Sequence, residues 1–136
     1  MTRWLVDTSV AVPLVAASHD AHRFVNDAVD DRTLEIAEHA ALETYSVLTR
    51  LPGDARLHPR DAALLVADRF AAVVVPSART SRRLIDELAA LDVAGGAVYD
   101  ALIAVTARAV EAVLLTRDRR AAATYVRLDV QTELIG

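Results

Sequence analysis

The sequence contains no cysteine among its 136 residues. Disulfide bonds and thiolate metal sites are therefore excluded, and extracellular function is disfavoured. Long apolar runs are also missing, since the uncharged stretch at 71–78 is far too short to cross a bilayer. The apolar N-terminal stretch is interrupted by Asp7, which favours a strand and a helix over a signal peptide. We therefore expect a cytoplasmic protein with no membrane association.

Lysine is absent as well, so arginine supplies all 15 basic residues. This absence excludes a phosphate-binding-loop lysine, a Schiff-base lysine and the lysine expected in a phosphoacceptor receiver domain. A phosphatase or receiver domain that uses Asp7 as phosphoacceptor is therefore disfavoured.

The net charge of −4 at first argues against a nucleic-acid partner, because proteins that bind the phosphate backbone usually present a basic surface. If four of the 19 acidic residues are metal ligands, however, the other 15 balance the 15 arginines. A bound cation would then reverse the local sign of the charge. The acidity is compatible with a metal site that acts on an anionic substrate.

Hydrophobic residues make up 54% of the chain, enough to bury the core of one domain over residues 1–136. Short apolar runs that indicate strands alternate with segments of helical periodicity. The predicted strands are 3–6, 33–37, 72–75, 113–116 and 126–130. The predicted helices lie between 8 and 29 and at 39–51, 58–70, 77–91, 97–111 and 119–123. This alternation predicts an α/β fold with a central, mainly parallel sheet and helices on both faces.

In each of two predicted helices, four residues recur at helical spacing on one face, which in the second helix is apolar throughout. In the helix 39–51 these are Leu42, Tyr45, Leu48 and Thr49. In the helix 77–91 they are Leu84, Ile85, Leu88 and Leu91.

Four acidic residues are candidate ligands, although each also has an ordinary structural explanation. Asp7 and Asp118 each follow an apolar strand, where either could simply cap the next helix. Asp100 in the first turn of a helix could complement the helix dipole, and Glu43 could face solvent. In a parallel sheet, however, ligands bind beyond the carboxyl ends of the strands, where Asp7 and Asp118 are predicted to lie.

The apolar neighbours of these acids favour a shared cleft, because ionised carboxylates that converge away from water require a cation. Oxygen-only ligation selects Mg²⁺ or Mn²⁺ over zinc. His19, His22, His39 and His58 are less suitable ligands and are expected at the surface or as caps.

Four segments in order resemble the PIN domain, specifically the VapC toxins of bacterial toxin-antitoxin pairs. They are LVDTS, AALETYSVLTRL, YDALIAVTA and LLTRD, and together they extend over nearly the whole chain. The resemblance implies a single PIN domain with a three-layer α/β/α sandwich. It matches Asp7, Glu43, Asp100 and Asp118 to the four family acids, with Thr116 and Ser9 as supporting hydroxyls.

The same resemblance implies a growth-inhibiting toxin. Its activity would be that of an endoribonuclease that cleaves structured RNA with Mg²⁺, or with Mn²⁺ as a substitute. For two-metal hydrolysis we expect Asp7 and Asp100 to bind the principal ion. Glu43 and Asp118 would complete the site or a second one, and Thr116 would orient a ligand or water. The implied partners are RNA, a VapB-like antitoxin and a second copy of the chain, in a homodimer and a toxin-antitoxin hetero-oligomer.

Two further interpretations remain open at this point. A catalytically silent PIN-like RNA-binding module could keep the acids as relics. Two arginine groups could hold RNA phosphates, or could be solvated helix faces. They are Arg79, Arg82 and Arg83, and then Arg117, Arg119 and Arg120. The second group flanks Asp118 and is the better candidate.

Overall fold

The computed structural model describes all 136 residues, and its centre is a five-stranded parallel sheet. The strands are β1 (Trp4–Val6), β2 (Leu34–Ala37), β3 (Val73–Val74), β4 (Val113–Thr116) and β5 (Thr132–Leu134). Their spatial order is β3-β2-β1-β4-β5, and every neighbouring pair is parallel. The prediction of a mainly parallel sheet is confirmed. Because β1 and β4 are neighbours, the residues that follow them emerge side by side.

Seven α-helices flank the sheet. They are α1 (Thr8–Val15), α2 (His22–Val29), α3 (Glu38–Leu48), α4 (Pro59–Arg69), α5 (Ala78–Ala90), α6 (Ala97–Ala109) and α7 (Arg119–Arg127). Helices α1 to α4 pack against one another, and α5 to α7 form a second packed group. The strand order changes direction after β3, so right-handed crossovers place these groups on opposite faces. The three-layer α/β/α prediction is confirmed.

The core lies on the two central strands, which are buried on both faces. Leu5, Val6, Leu114 and Leu115 are all fully buried. A continuous apolar run is typical of a parallel strand covered by helices on both sides, and it explains why the sequence signal for β1 and β4 was clear. None of the helices has both the length and the apolar character needed to span a lipid bilayer.

The last predicted strand, 126–130, is wrong. Helix α7 continues to Arg127, and the edge strand β5 instead begins at Thr132. Asp129 has a positive φ of 59°, so the chain turns where the strand was expected. Tyr125 is fully buried on α7, and covering this aromatic side chain favours the longer helix.

The expected apolar faces of two helices are only partly correct. Helix α3 buries Ala40, Thr44 and Leu48, whereas 63% of Leu42 is exposed. Burial of Thr44 is possible because its hydroxyl donates to the Ala40 carbonyl at 2.7 Å. On α5, Leu84 and Leu88 are buried as expected, but Ile85 is exposed.

Candidate active site

The four predicted acids meet at one cavity. Asp7 follows β1, Asp118 lies beyond the end of β4, Glu43 is on α3 and Asp100 is in the first turn of α6. All four line a cavity of about 150 Å³, together with Thr8, Ser9, Ile103, Ala121 and Tyr125. The site is thus built from four separate segments at the carboxyl ends of the central strands, as the sequence predicted for Asp7 and Asp118.

Asp7 is held in one position by hydrogen bonds on both carboxylate oxygens. Its Oδ1 accepts from the Ser9 hydroxyl at 2.6 Å and from the Val10 amide at 3.3 Å, which caps α1. Its Oδ2 accepts from the Tyr125 hydroxyl at 2.8 Å. Burial raises the pKa of Asp7 even though these donors lower it. The capping and functional interpretations of Asp7 are therefore compatible.

Asp118 also caps a helix but retains a free oxygen. Its Oδ1 accepts from the amides of Arg120 at 2.9 Å and Ala121 at 3.2 Å, at the start of α7. Both bonds fall on Oδ1, so Oδ2 is available to a ligand in the cavity. Helix capping therefore orients this carboxylate without using all of its acceptor capacity.

Two hydroxyls tie the segments of Asp7 and Asp118 together. The Ser9 hydroxyl accepts from the Arg117 amide at 2.8 Å and lies 3.3 Å from the Thr116 hydroxyl. Thr116 accepts from the Asp118 amide at 3.1 Å and is fully buried. Ser9 and Thr116 therefore link the two segments that carry Asp7 and Asp118, while their role toward a bound ligand stays a prediction.

Glu43 is the most exposed of the four acids, with 46% of its side chain accessible. The Thr8 hydroxyl donates to Glu43 Oε1 at 2.9 Å, and His39 Nε2 lies 3.3 Å from the same oxygen. The His39 ring stacks on Tyr99, with ring centroids 5.1 Å apart. Glu43 thus faces solvent and also lines the cavity. Both contacts fall on Oε1, so Oε2 is free to move toward a ligand.

Asp100 has the environment that most needs a cation. Burial raises its pKa to about 6, and the negative charges of Asp118, Asp7 and Glu43 add to the rise. No protein hydrogen bond contributes to stabilising its charged form. The positive charge of Arg120 opposes this rise but is the smallest of these contributions, so a divalent cation would further stabilise the Asp100 carboxylate.

The donor set fits a hard divalent ion, because four carboxylates offer only oxygen ligands and no thiol is present. As placed, no group of three or more acidic or histidine side chains encloses a point that one ion could occupy. Asp7 is fixed, whereas Glu43 and Asp118 each have an oxygen without a protein partner. Binding of an ion would therefore require these two side chains to move inward.

Sequence reasoning missed two residues of this site, Tyr125 and Thr8. Tyr125 was not recognised because the helix containing it was predicted to end at residue 123. Its hydrogen bond to Asp7 joins residues 118 positions apart, which no local pattern reveals. Thr8 lies within the quoted LVDTS segment, but nothing in the sequence indicated its contact with Glu43.

Comparisons with known proteins agree with this fold. The PIN domain model matches residues 4–126. Ribonuclease VapC27 of Mycobacterium tuberculosis is 50% identical over 92% of this chain and 91% of its own length. Ribonuclease VapC40 of the same species is 46% identical over 95% of this chain and 96% of its own length.

Solved structures share the fold at lower identity. VapC20 of Mycobacterium tuberculosis, described as a sarcin-ricin loop cleaving toxin, has a TM-score of 0.67 and 19% identity, covering 88% of this chain and 93% of its own. DNA-bound VapBC of Salmonella typhimurium has a TM-score of 0.69 and 18% identity, with both chains fully covered. The family match over most of the chain and the two close relatives lead to one conclusion: this chain belongs to the PIN domain family, among its VapC members.

Proposed function

We propose that this protein is the toxin of a VapBC pair, a Mg²⁺-dependent endoribonuclease that cleaves structured RNA and so inhibits translation and growth. The observation that carries the proposal is the convergence of Asp7, Glu43, Asp100 and Asp118 on one cavity. Folding gains nothing from gathering four like charges, and the raised pKa of Asp100, caused mainly by burial, reflects the cost. The cluster is therefore best explained by a cationic ligand.

Mg²⁺, with Mn²⁺ as a substitute, is the cofactor that the oxygen-only donor set fits best. Asp7 and Asp100 would hold the principal ion, and Glu43 and Asp118 would complete its site or a second one. When bound, such ions lower the pKa of an attacking water and stabilise charge on the leaving oxygen of a phosphodiester.

The surrounding residues of the chain prepare this site. Tyr125 and Ser9 fix the orientation of the Asp7 carboxylate, so its remaining lone pairs face a defined direction. Thr116 positions the Asp118 backbone and lies beside Ser9. We assign Thr116 a positioning role, orienting a ligand or a water, as its sequence context implied.

RNA is the proposed substrate because the two relatives at 46–50% identity are named ribonucleases. The structural neighbour VapC20 is described as cleaving the sarcin-ricin loop, a structured RNA. Attack of water on phosphorus with the 3′ oxygen as leaving group would leave a 5′ phosphate and a 3′ hydroxyl.

A VapB-like antitoxin and a second copy of the chain are the proposed protein partners. Large apolar side chains are exposed on α3 and α4, including Leu42, Tyr45, Leu64 and Leu65. Exposed apolar patches are typical of binding surfaces. Several structural neighbours with the same fold were solved as VapBC assemblies. A homodimer and a toxin-antitoxin hetero-oligomer would cover such surfaces.

The direct test is to incubate the purified chain with total cellular RNA in EDTA and then with added Mg²⁺, Mn²⁺, Ca²⁺ or Zn²⁺. We expect cleavage with Mg²⁺ or Mn²⁺, little with Ca²⁺, and no requirement for Zn²⁺. Mapping of the cut ends would identify the target and the end chemistry. RNA binding without cleavage under every ion would instead favour the catalytically silent RNA-binding alternative.

A further inference from the structure

A second, larger cavity of about 680 Å³ lies directly beside the acidic one. The two cavities share Thr8, Ser9 and Asp118 in their walls. The larger cavity is also lined by three arginines and a histidine, namely Arg117, Arg119, Arg120 and His19. A strand that leaves the acidic cavity in this direction therefore passes at once from a negative to a positive surface. We name this region the arginine pocket.

None of the three arginines of the pocket forms an ion pair with a carboxylate, although the charge of Arg120 lowers the pKa of Asp100. The ion pairs of the chain that involve arginine use Arg3, Arg32 and Arg108. Nε of Arg117 is buried without any hydrogen-bond acceptor, an uncommon and costly state for a charged donor. Arg79 and Arg82 on α5 also lack an ion pair, so what distinguishes the pocket from an ordinary solvated helix face is its wall shared with the acidic cavity.

Hydrogen bonds also fix the position of the arginine pocket relative to the acidic cavity. The Arg117 amide donates to the Ser9 hydroxyl, which in turn donates to Asp7. Asp118 caps the helix whose first two residues are Arg119 and Arg120. His19 contributes a further donor, because its Nδ1 accepts from the Ala21 amide at 3.0 Å and Nε2 is then the ring nitrogen that carries hydrogen.

We propose that the arginine pocket binds a backbone phosphate of the RNA next to the one that enters the acidic cavity. The inference rests on the proposed ribonuclease function. Guanidinium groups match phosphate oxygens in bidentate geometry, and phosphate contacts of this kind fix the position of a strand without reading its sequence. The pocket thereby supplies local positive charge for RNA binding, although the net charge of the chain is −4.

The test measures RNA binding separately from cleavage. The probe is a fluorescent single-stranded RNA dodecamer of mixed sequence with 2′-O-methyl groups, titrated by anisotropy in Mg²⁺ across a series of salt concentrations. The pocket variant is Arg119→Gln with Arg120→Gln, whose side chains are exposed, and the backbone amides of residues 120 and 121 still donate to the Asp118 carboxylate that caps α7. The matched control is Arg79→Gln with Arg82→Gln, exposed arginines on α5 that carry the same charge.

We expect the pocket variant to bind about tenfold more weakly and to lower the salt dependence by roughly 1.4 in log–log slope, as for two lost phosphate contacts. The control variant is expected to stay within about twofold of wild type. Equal weakening in both variants, or none in either, would overturn the proposal. The same would be true if only binding of a VapB-like antitoxin weakened, since the pocket would then serve the protein partner.

The wild-type cleavage assay distinguishes failure of the pocket proposal from failure of the ribonuclease proposal. If the chain cleaves RNA but the pocket variant binds normally, only the pocket proposal fails. If RNA binding depends on the pocket but no ion supports cleavage, only the ribonuclease proposal fails.

Discussion

Acidic residues in this molecule occur in two contrasting environments. Away from the acidic cavity, glutamates pair with arginines: Glu35 on β2 with Arg3 at 2.7 Å, and Glu87 on α5 with Arg108 on α6 at 2.6 Å. Hydrogen bonds from those arginines lower the pKa of both glutamates. At the carboxyl ends of β1 and β4, by contrast, burial raises the pKa of Asp7 and Asp100.

The difference separates acids that support the fold from acids that oppose it. An acid whose pKa is lowered contributes stability at neutral pH, and one whose pKa is raised reduces it. The chain has arginines close to the acidic cavity, and Arg120 lowers the pKa of Asp100, yet none of them forms an ion pair with the four acids. A cluster of acids that lowers the stability of the fold indicates that these residues serve a function.

The largest expected effect comes from removing one charge of the cluster. Asp7→Asn is expected to reduce RNA cleavage more than about a hundredfold while the chain stays folded, since the amide keeps the shape but is a poor metal ligand. The measurement is single-turnover cleavage in Mg²⁺, with circular dichroism as the check on folding. Asp86→Asn, an exposed acid on α5, is the matched control and is expected to cleave normally. Full activity of the Asp7 variant would remove Asp7 from the proposed site.

A smaller effect is expected from the residue behind Asp7. Tyr125→Phe keeps the buried ring but removes the hydroxyl that donates to Asp7 Oδ2. Loss of such an outer contact typically lowers metal affinity about 10- to 100-fold. Binding of Mn²⁺ can be followed by titration calorimetry, with the exposed Tyr45→Phe as control. An unchanged affinity would mean that Ser9 and Val10 alone orient the Asp7 carboxylate.

The third prediction concerns stability and its dependence on pH in EDTA. Asp100 has a pKa of about 6 when folded, above the usual 3.8, so the folded state binds more protons between these values. Asp100→Asn is therefore expected to stabilise the chain above pH 6 by about 1–2 kcal/mol, allowing for screening of a partly exposed group. The gain is expected to fade toward pH 4. Urea unfolding at pH 7.5 and pH 4 measures it, and a loss of stability at pH 7.5 would contradict the account.

The smallest effect has the opposite sign. Glu87→Gln removes an acid whose pKa is lowered by its bond to Arg108, and both side chains are about one-third exposed. Such a pair contributes up to about 1 kcal/mol, present above the unfolded pKa and lost as the pH falls through the folded one. The same urea experiment is expected to show destabilisation at pH 7.5 that shrinks at pH 4. If Glu87→Gln and Asp100→Asn shifted stability in the same direction, the contrast between the two environments would not hold.

The sequence predicted secondary structure correctly where a local apolar pattern coincides with burial in the core. The strands before Asp7 and Asp118 were found because apolar runs in a parallel sheet are unbroken. Two features were not predicted. The chain turns at Asp129, where a strand was expected, and Asp7, the hydrogen-bond partner that makes Tyr125 part of the site, lies 118 residues from it. Neither feature is encoded in a short window. Leu42 and Ile85 share a predicted helix face with buried leucines, yet both are exposed, because periodicity alone does not tell how much of a face packs inside.

The central claim is that the four carboxylates together bind a divalent cation, and Mn²⁺ titration monitored by electron paramagnetic resonance tests it most directly. The experiment compares wild type with Asp7→Asn, Glu43→Gln, Asp100→Asn and Asp118→Asn, and with the control Asp86→Asn. We predict saturable binding by wild type and by the control, and at least about tenfold weaker binding by Asp7→Asn and Asp100→Asn. Equal Mn²⁺ affinity in all six proteins, or no saturable binding by wild type, would contradict the claim.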